Sequence, residues 1–211
     1  MNKEWSEKNK RVGILIRKET TYKDGINLLI ELRNEMFEQI SQIVNGYPVD
    51  AFYQMPFANV EGYHSKTLSY SIWHIFRIED IVAHTLITRD KQIFVTGDYQ
   101  KIIDSPIITT GNELQGQDIT EFSKKLNIWA LYEYAKEVML STNSILSKME
   151  YSQMKKRFSD EDKERLLESG CVSPNENSIW LIDYWCNKDI RGLIKMPFSR
   201  HWSMHIEAMQ R

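Results

Sequence analysis

The segment SKTLSYSIWHIFRIEDIVAHTLIT, residues 65–88, is the part of the sequence that decides the fold. Its apolar residues occupy more than one face of a helix, which predicts a helix that is buried around most of its circumference. Those positions are Leu68, Ile72, Ile75, Phe76, Ile78, Ile81, Val82 and Leu86. A helix of this kind needs other elements to cover it, so the chain on either side is expected to supply them.

The flanking sequence is dominated by helical patterns, and it lacks the alternation of apolar and polar residues that is typical of half-buried strands. Before the central segment, apolar residues recur mostly at spacings of three and four over 24–44. The predicted helices are 24–44, 65–88, 118–149, 159–168, 179–186, 189–196 and 199–211, and Pro197 separates the last two. The expected fold class is therefore all-α.

The stretch from 89 to 116 differs from its neighbours because short apolar pieces alternate with turn formers. No long helical period of apolar residues can form here, because turn-forming residues interrupt it at Gly97, Pro106, Gly111 and Gly116. We predict a long connection that carries one helical turn near residues 99–103. Connections of this length join parallel neighbours in some four-helix bundles.

The whole-chain properties limit the classes of function. A length of 211 residues suits one domain spanning 1–211, and a net charge of −2 provides no field to attract nucleic acid or an anionic membrane. No run approaches the roughly 20 apolar residues that a membrane span needs. Cys171 and Cys186 do not form a disulfide framework, which favours two reduced thiols in a cytoplasmic protein.

Three of the five histidines have a spacing that suits a metal site. His201 and His205 are four residues apart on a predicted helix, so both imidazoles can point to one place. His74 lies in the middle of the central helix among apolar neighbours, where it must either form a hydrogen bond or bind a metal. Three imidazoles suit zinc, nickel or iron and leave one position open for water or substrate. The alternative is a core histidine bonded to a tyrosine or to a backbone carbonyl.

The other two histidines fit such a site poorly. His84 lies ten residues after His74 on the same helix, too far along the axis to share an ion. His64 follows Glu61 at the ExxH spacing of di-iron bundles. Gly62 argues against a regular helix there, and no second ExxH exists, so we do not favour a di-iron carboxylate site.

Two stretches resemble the DinB/YfiT-like family of metalloenzymes. They are TLSYSIWHIFRIED, residues 67–80, and DYWCNKDIRGLIKMPFSRHWSMHIEAMQR, residues 183–211. The resemblance implies a four-helix bundle with a long connection between its second and third helices. It also implies one divalent metal ion, zinc or nickel with iron or manganese as alternatives, bound by His74, His201 and His205.

The same resemblance implies a function, a thiol-dependent transferase that acts on a small molecule with a low-molecular-weight thiol such as mycothiol, bacillithiol or glutathione. Tyr70 and Arg77 are candidates to contact a ligand or substrate, with aromatic packing and a surface ion pair as the alternatives. Glu79 and Asp80 point away from His74 and are expected to cap, to pair with lysines or to support the site indirectly. A metal-dependent amide or ester hydrolase, and a metal-binding stress-response module without catalysis, remain open, as does a homodimer.

Overall fold

The computed structural model of the protein describes residues 2–55, 60 and 62–210. Every regular element within these residues is a helix, and no strand occurs among them. The α-helices are α1 (Lys3–Leu15), α2 (Tyr22–Gly46), α3 (Leu68–Asp80), α4 (Ile93–Thr96), α5 (Tyr99–Ile102), α6 (Gln117–Lys125), α7 (Ile128–Lys148), α8 (Asp160–Glu168), α9 (Glu176–Cys186), α10 (Ile190–Lys195) and α11 (His201–Met209). The all-α prediction is confirmed for this part of the chain.

Shorter helical pieces join these elements. Single 3₁₀ turns occur at Glu19–Thr21, Val49–Tyr53, Gly62–His64 and Tyr151–Lys155. Two wider π-helical segments extend α-helices without a break: Ile81–Thr88 continues α3, and Met196–Arg200 joins α10 to α11. Segments of this type are frequent at functional sites, because the extra residue redirects the side chains that follow.

The central packing involves α2, α3, α7 and α11. α3 packs against both α7 and α11, and α2 packs against the same two helices. Large side chains without solvent exposure fill the space between them, including Trp73, Phe76 and Trp202. Burial of each such side chain contributes about 1.5–3 kcal/mol to folding. α3 is buried along almost its whole length, as its apolar pattern predicts.

The N-terminal helix α1 was not predicted, because the first ten residues are strongly charged. Asn2 caps it by accepting from the backbone N–H groups of Glu4 and Trp5. Trp5 and Val12 then face the core, and the helix packs along α2. Two or three apolar residues on one face are enough to stabilise a helix when a neighbouring helix covers them.

The single helix predicted over 118–149 is wrong, since the structure divides it into α6 and α7. Leu126 adopts an extended conformation at the break, and the Asn127 side chain accepts from the N–H groups of Trp129 and Ala130. The Asn127 N–H donates to Ile103 O at 2.8 Å. The apolar period continues across the break, so periodicity alone did not locate it.

The connection between α3 and α6 is long, as predicted, and it contains two short helices instead of one turn. These are α4 and α5, and both contact α7. The connection therefore covers one end of the core instead of projecting from it.

The predicted separation at Pro197 is also wrong, because the chain remains helical through the proline. Pro197 lies at the start of the π segment, and because proline has no N–H the helix lacks one backbone donor there. His201 N–H then donates to Met196 O, five residues earlier. α10, the π segment and α11 form one continuous but redirected helix.

Within the described residues no helix is both long enough and apolar enough to cross a bilayer. Cys171 and Cys186 are both buried, free thiols.

Candidate metal centre

Three histidine side chains from two helices meet at one place. α3 contributes His74, and α11 contributes His201 and His205 from successive turns. The ring centroids are 5.0 Å apart for His74 and His201, 5.1 Å for His74 and His205, and 4.8 Å for His201 and His205. One nitrogen from each ring lies within 4.8 Å of the other two. All three residues are buried.

The orientation of His74 is set by a backbone carbonyl. Its Nδ1 donates to Thr110 O at 2.8 Å, which leaves the lone pair on Nε2 as the available ligand atom. The Tyr70 ring stacks on the His74 ring at a centroid distance of 5.4 Å and an interplanar angle of 11°. His74 therefore has a defined tautomer and little freedom to rotate.

The loop that supplies this carbonyl is bound to α3 by a series of hydrogen bonds. Tyr70 OH donates to Gly111 O at 3.0 Å, and Trp73 Nε1 donates to Thr109 O at 3.1 Å. Gly111 has a φ of 80°, and a Cβ atom there would lie 3.1 Å from Tyr70 Cε2. The loop approaches α3 this closely only because residue 111 is glycine.

The helix that carries His201 and His205 is anchored from its buried side. Trp202 Nε1 donates to Glu79 Oε2 at 2.9 Å, and Arg33 Nη1 donates to Phe198 O at 2.8 Å. The first bond holds the residue next to His201, and the second holds a carbonyl of the π segment just before it. These contacts determine the direction in which α11 presents its histidines.

A buried ion pair lies behind those two anchors. Arg33 Nη1 and Nη2 donate to the two carboxylate oxygens of Glu79 at 2.9 and 2.6 Å, and Arg33 Nε donates to Asn143 Oδ1 at 2.7 Å. Neither charged side chain has any solvent exposure. A bidentate pair with its remaining donors satisfied is the arrangement in which buried charges are tolerated.

Burial keeps the three imidazoles neutral. Desolvation lowers the pKa of His74 to about 4, against a weaker raising effect of the Thr110 carbonyl. Desolvation also lowers the pKa values of His201 and His205 well below the ordinary value, and the neighbouring histidines add to the shift. Neutral imidazole is the form that binds a metal.

The ring nitrogens fit a divalent metal ion. Among the described residues, His201 Nδ1 and both ring nitrogens of His205 are buried without a hydrogen-bond partner, which is costly unless a ligand satisfies them. Metal–nitrogen bonds of 2.0–2.1 Å in a tetrahedral site place the nitrogens about 3.4 Å apart. In the structure one nitrogen from each ring lies within 4.8 Å of the other two. No further group of three such ligands occurs among the described residues.

A cavity of about 420 Å³ opens onto the three histidines. Its wall is largely aromatic and apolar, with a few polar side chains. The residues that line it besides the histidines are Gly62, Tyr63, Lys66, Tyr70, Ile78, Asn112, Trp180, Leu181, Tyr184, Trp185, Met196 and Pro197. A small organic molecule fits a cavity of this size and character.

Tyr70 and Arg77 were also predicted to contact a ligand or substrate, and only Tyr70 lies in the cavity lining. Tyr70 lines the cavity, but its hydroxyl already donates to a backbone carbonyl and its ring supports His74. Arg77 lies outside the cavity lining and has no solvent exposure. Its donors bind Ile108 O, Asp80, Tyr134 and Gln92. Arg77 forms a buried network, neither an anion site nor a surface ion pair.

His84 does not join the cluster. Its Nδ1 bonds Asp90 Oδ1 at 2.7 Å, and its Nε2 lies 3.0 Å from Ser141 Oγ. The order of these groups resembles a serine–histidine–aspartate set, which spacing in the sequence could not reveal. Ser141 lies inside α7, where its own backbone N–H belongs to the helix and cannot stabilise an oxyanion. We assign His84 a structural role.

His64 forms part of the 3₁₀ turn Gly62–His64 and lines a smaller cavity that shares Tyr63 and Lys66 with the cavity at the histidines. Glu61, the acidic residue of the ExxH spacing, lies outside the described residues.

Sequence reasoning missed the groups that orient the histidines. The partner of His74 is a backbone carbonyl, which has no side-chain signature, and Gly111 was the only signal near it. Glu79 pairs with Arg33 of α2 instead of a lysine. An arginine on the apolar face of α2 was the available hint, because a buried charge requires a partner.

Comparison of the sequence with protein-family models and with curated proteins finds no match to either. The resemblance to the DinB/YfiT-like family stays a prediction that rests on the two stretches quoted above.

Proposed function

We propose that this protein is a metal-dependent enzyme of the DinB/YfiT-like type that transfers a group to a low-molecular-weight thiol. The main support is the convergence of His74, His201 and His205, all buried and neutral, on the wall of a cavity of about 420 Å³. Three neutral imidazoles with an adjoining cavity are the arrangement of catalytic metal sites, whereas structural sites usually have four protein ligands.

The helix packing is consistent with the bundle that the resemblance implies. In this proposal α2, α3 with its π extension, α7 and the helix ending in α11 are the four bundle helices, because they pack on one another around the core. The remaining helices are additional to these four. The metal ligands then come from the second and the last bundle helix.

The chemistry follows from the ligand set. His74, His201 and His205 would hold the divalent ion, which would supply a lowered pKa for a thiol bound beside them, so that a thiolate would be available at neutral pH. The sulfur forms a bond to an electrophilic carbon of the second substrate, the bond from that carbon to its leaving group breaks, and the leaving group takes the electron pair. The thiol proton passes to solvent.

The residues of the chain bind, orient and shield the reactants. Thr110 O and the Tyr70 ring hold His74, while Glu79 and Arg33 hold the helix of His201 and His205. The aromatic side chains of the cavity exclude bulk water around the reacting sulfur.

The test is a turnover assay on metal-loaded protein. Protein loaded with zinc or nickel is incubated with glutathione, bacillithiol or mycothiol and an activated aryl halide, with and without chelator, and the thioether is quantified by chromatography. We expect formation of the thioether that requires both metal and thiol. Loss of an ester or amide substrate without thiol would instead indicate a hydrolase, and no turnover with any thiol would contradict the proposal.

Matched histidine variants provide the control. His201→Ala should abolish thiol-dependent turnover, because it removes one of the three ligands. His84→Ala changes another buried histidine that is bonded to Asp90 and Ser141, and it should retain turnover. Equal activity of the two variants would show that the catalysis arises elsewhere.

A further inference from the structure

Among the described residues that line the cavity, Lys66 is the one cationic side chain, and it lies near the histidine cluster. Lys66 is partly buried, lines the cavity, and has its Nζ 5.4 Å from the centre of the Tyr70 ring. The Tyr70 ring in turn stacks on the His74 ring at a centroid distance of 5.4 Å. The ammonium group is therefore close enough to act on whatever lies against the histidines.

The charge of Lys66 is not balanced inside the cavity. Its wall, as far as the described residues form it, contains no carboxylate and no second lysine or arginine. A partly desolvated ammonium binds anions more strongly than an exposed lysine does.

Another part of the wall is aromatic, and Lys188 Nζ lies 3.2 Å from the centre of the Tyr184 ring. Trp180 and Tyr184 contact each other edge to face at 5.5 Å, and Trp185 lies beside them in the lining. Trp180 is 48% exposed, which leaves its ring accessible at the cavity mouth. A ligand with an apolar body would cover this ring while its polar end reaches inward.

We propose that the cavity selects a small organic carboxylate, with the carboxylate on Lys66 and the apolar part against Trp180. This inference names the substrate class for the site described above, and it rests on the proposed function only for the statement that the ligand is a reactant. A neutral amide in place of the carboxylate should bind more weakly, since it has no negative charge to attract the ammonium.

The test uses metal-free protein, so that neither the metal nor turnover affects the result. The probes are 1-naphthoate and 1-naphthamide, which share the aromatic body and differ in charge. Their affinities are measured at pH 7.5 by ligand-observed NMR titration. We expect the parent protein to bind naphthoate about tenfold more tightly than naphthamide.

Three variants assign the preference to Lys66. Lys66→Gln should bring the ratio of the two affinities close to one, and Lys66→Arg should restore most of the preference because it retains the charge. Lys101→Gln changes an exposed lysine of α5 and should leave the ratio unchanged. Thermal melts of all variants confirm that they are folded.

Equal binding of the two probes by the parent, or an unchanged ratio in folded Lys66→Gln, overturns the inference. Either result can occur whether or not the protein binds metal or catalyses thiol transfer, so the two proposals fail separately. If turnover is established, KM of the reactant that carries the carboxylate should rise in Lys66→Gln. An unchanged KM for every reactant would also contradict the inference.

Discussion

The indole N–H of Trp202 donates to Glu79 Oε2 at 2.9 Å, and this bond links the two helices that carry the histidines. Glu79 belongs to α3, five residues after His74, and Trp202 directly follows His201 in α11. Arg33 occupies both oxygens of the same carboxylate and lies with its guanidinium carbon 4.5 Å from the Trp202 ring centre. The relative position of α3 and α11 therefore depends on one buried carboxylate.

Glu79→Gln should destabilise the protein and weaken metal binding. The change leaves the Arg33 charge buried without its partner, which costs about 3–5 kcal/mol of unfolding free energy. Loss of an outer hydrogen bond that orients metal ligands should lower metal affinity about 10- to 100-fold. Chemical denaturation and competitive metal titration measure the two effects.

Two variants test the specificity of that result. Trp202→Phe keeps the ion pair and removes the indole donor, so it should have the smaller effect on stability while still weakening metal binding. Glu121→Gln breaks an exposed pair with Lys124 and should change stability by less than about 1 kcal/mol. Metal affinity that stays at the parental value in folded Glu79→Gln would mean that this network does not orient the site.

Purified protein should bind about one divalent metal ion per chain, consistent with one three-histidine site. Alanine at His74, His201 or His205 should each lower the bound metal, since two imidazoles make a weaker site than three. Alanine at His84 or His64 should leave the metal content unchanged. Elemental analysis after gel filtration provides the measurement, and full metal content in all three cluster variants would place the site elsewhere.

Metal should stabilise the folded protein. The ligands come from helices far apart in the sequence, so the unfolded chain cannot bring them together. At free metal one hundred times above its dissociation constant, binding to the native state alone adds about 2.7 kcal/mol. The melting temperature should fall on addition of chelator, while far-UV circular dichroism before melting stays the same. An unchanged melting temperature in a sample shown to have lost its metal would contradict the coupling.

The metal-free protein should lose stability as the pH falls below neutral. In the unfolded chain His74 takes up a proton near pH 6.5, but in the folded protein its pKa is about 4. Between these values the unfolded state binds more protons, so the free energy of unfolding decreases as the pH falls. His74 alone accounts for a loss of roughly 3 kcal/mol by pH 4.

His201 and His205 should add to this loss, because burial shifts their pKa values in the same direction. The measurement is a series of urea denaturation curves in chelator from pH 7.5 to 4.5. A variant with His201→Gln and His205→Gln should show a weaker dependence on pH, since glutamine does not titrate. A flat profile in the parent would contradict neutral, buried histidines.

Some of this architecture could be predicted from local patterns. The apolar spacing over residues 65–88 predicts a deeply buried helix, and that helix is observed as α3 with its π extension. The i, i+4 spacing of His201 and His205, together with an apolar setting for His74, identified the residues that the structure brings together. Both features could be predicted because helical periodicity depends only on the spacing of residues along one segment.

Other features depend on contacts between distant residues. The break at Asn127 follows from a bond to Ile103 O, and helix α1 is stable because α2 covers it. The tautomer of His74 depends on a loop carbonyl 36 residues away, and the direction of α11 depends on Glu79, Arg33 and the π turn.

Residue patterns alone were enough to predict the helical class and the three histidines that are candidates for a metal. The convergence of their ring nitrogens, the buried network around Arg77 and the position of Lys66 at the same cavity became known from the folded arrangement. The physical reason is that desolvation, ion pairing and tautomer choice depend on distances between side chains that are remote in sequence. The periodicity of a single helix carries no information about those distances.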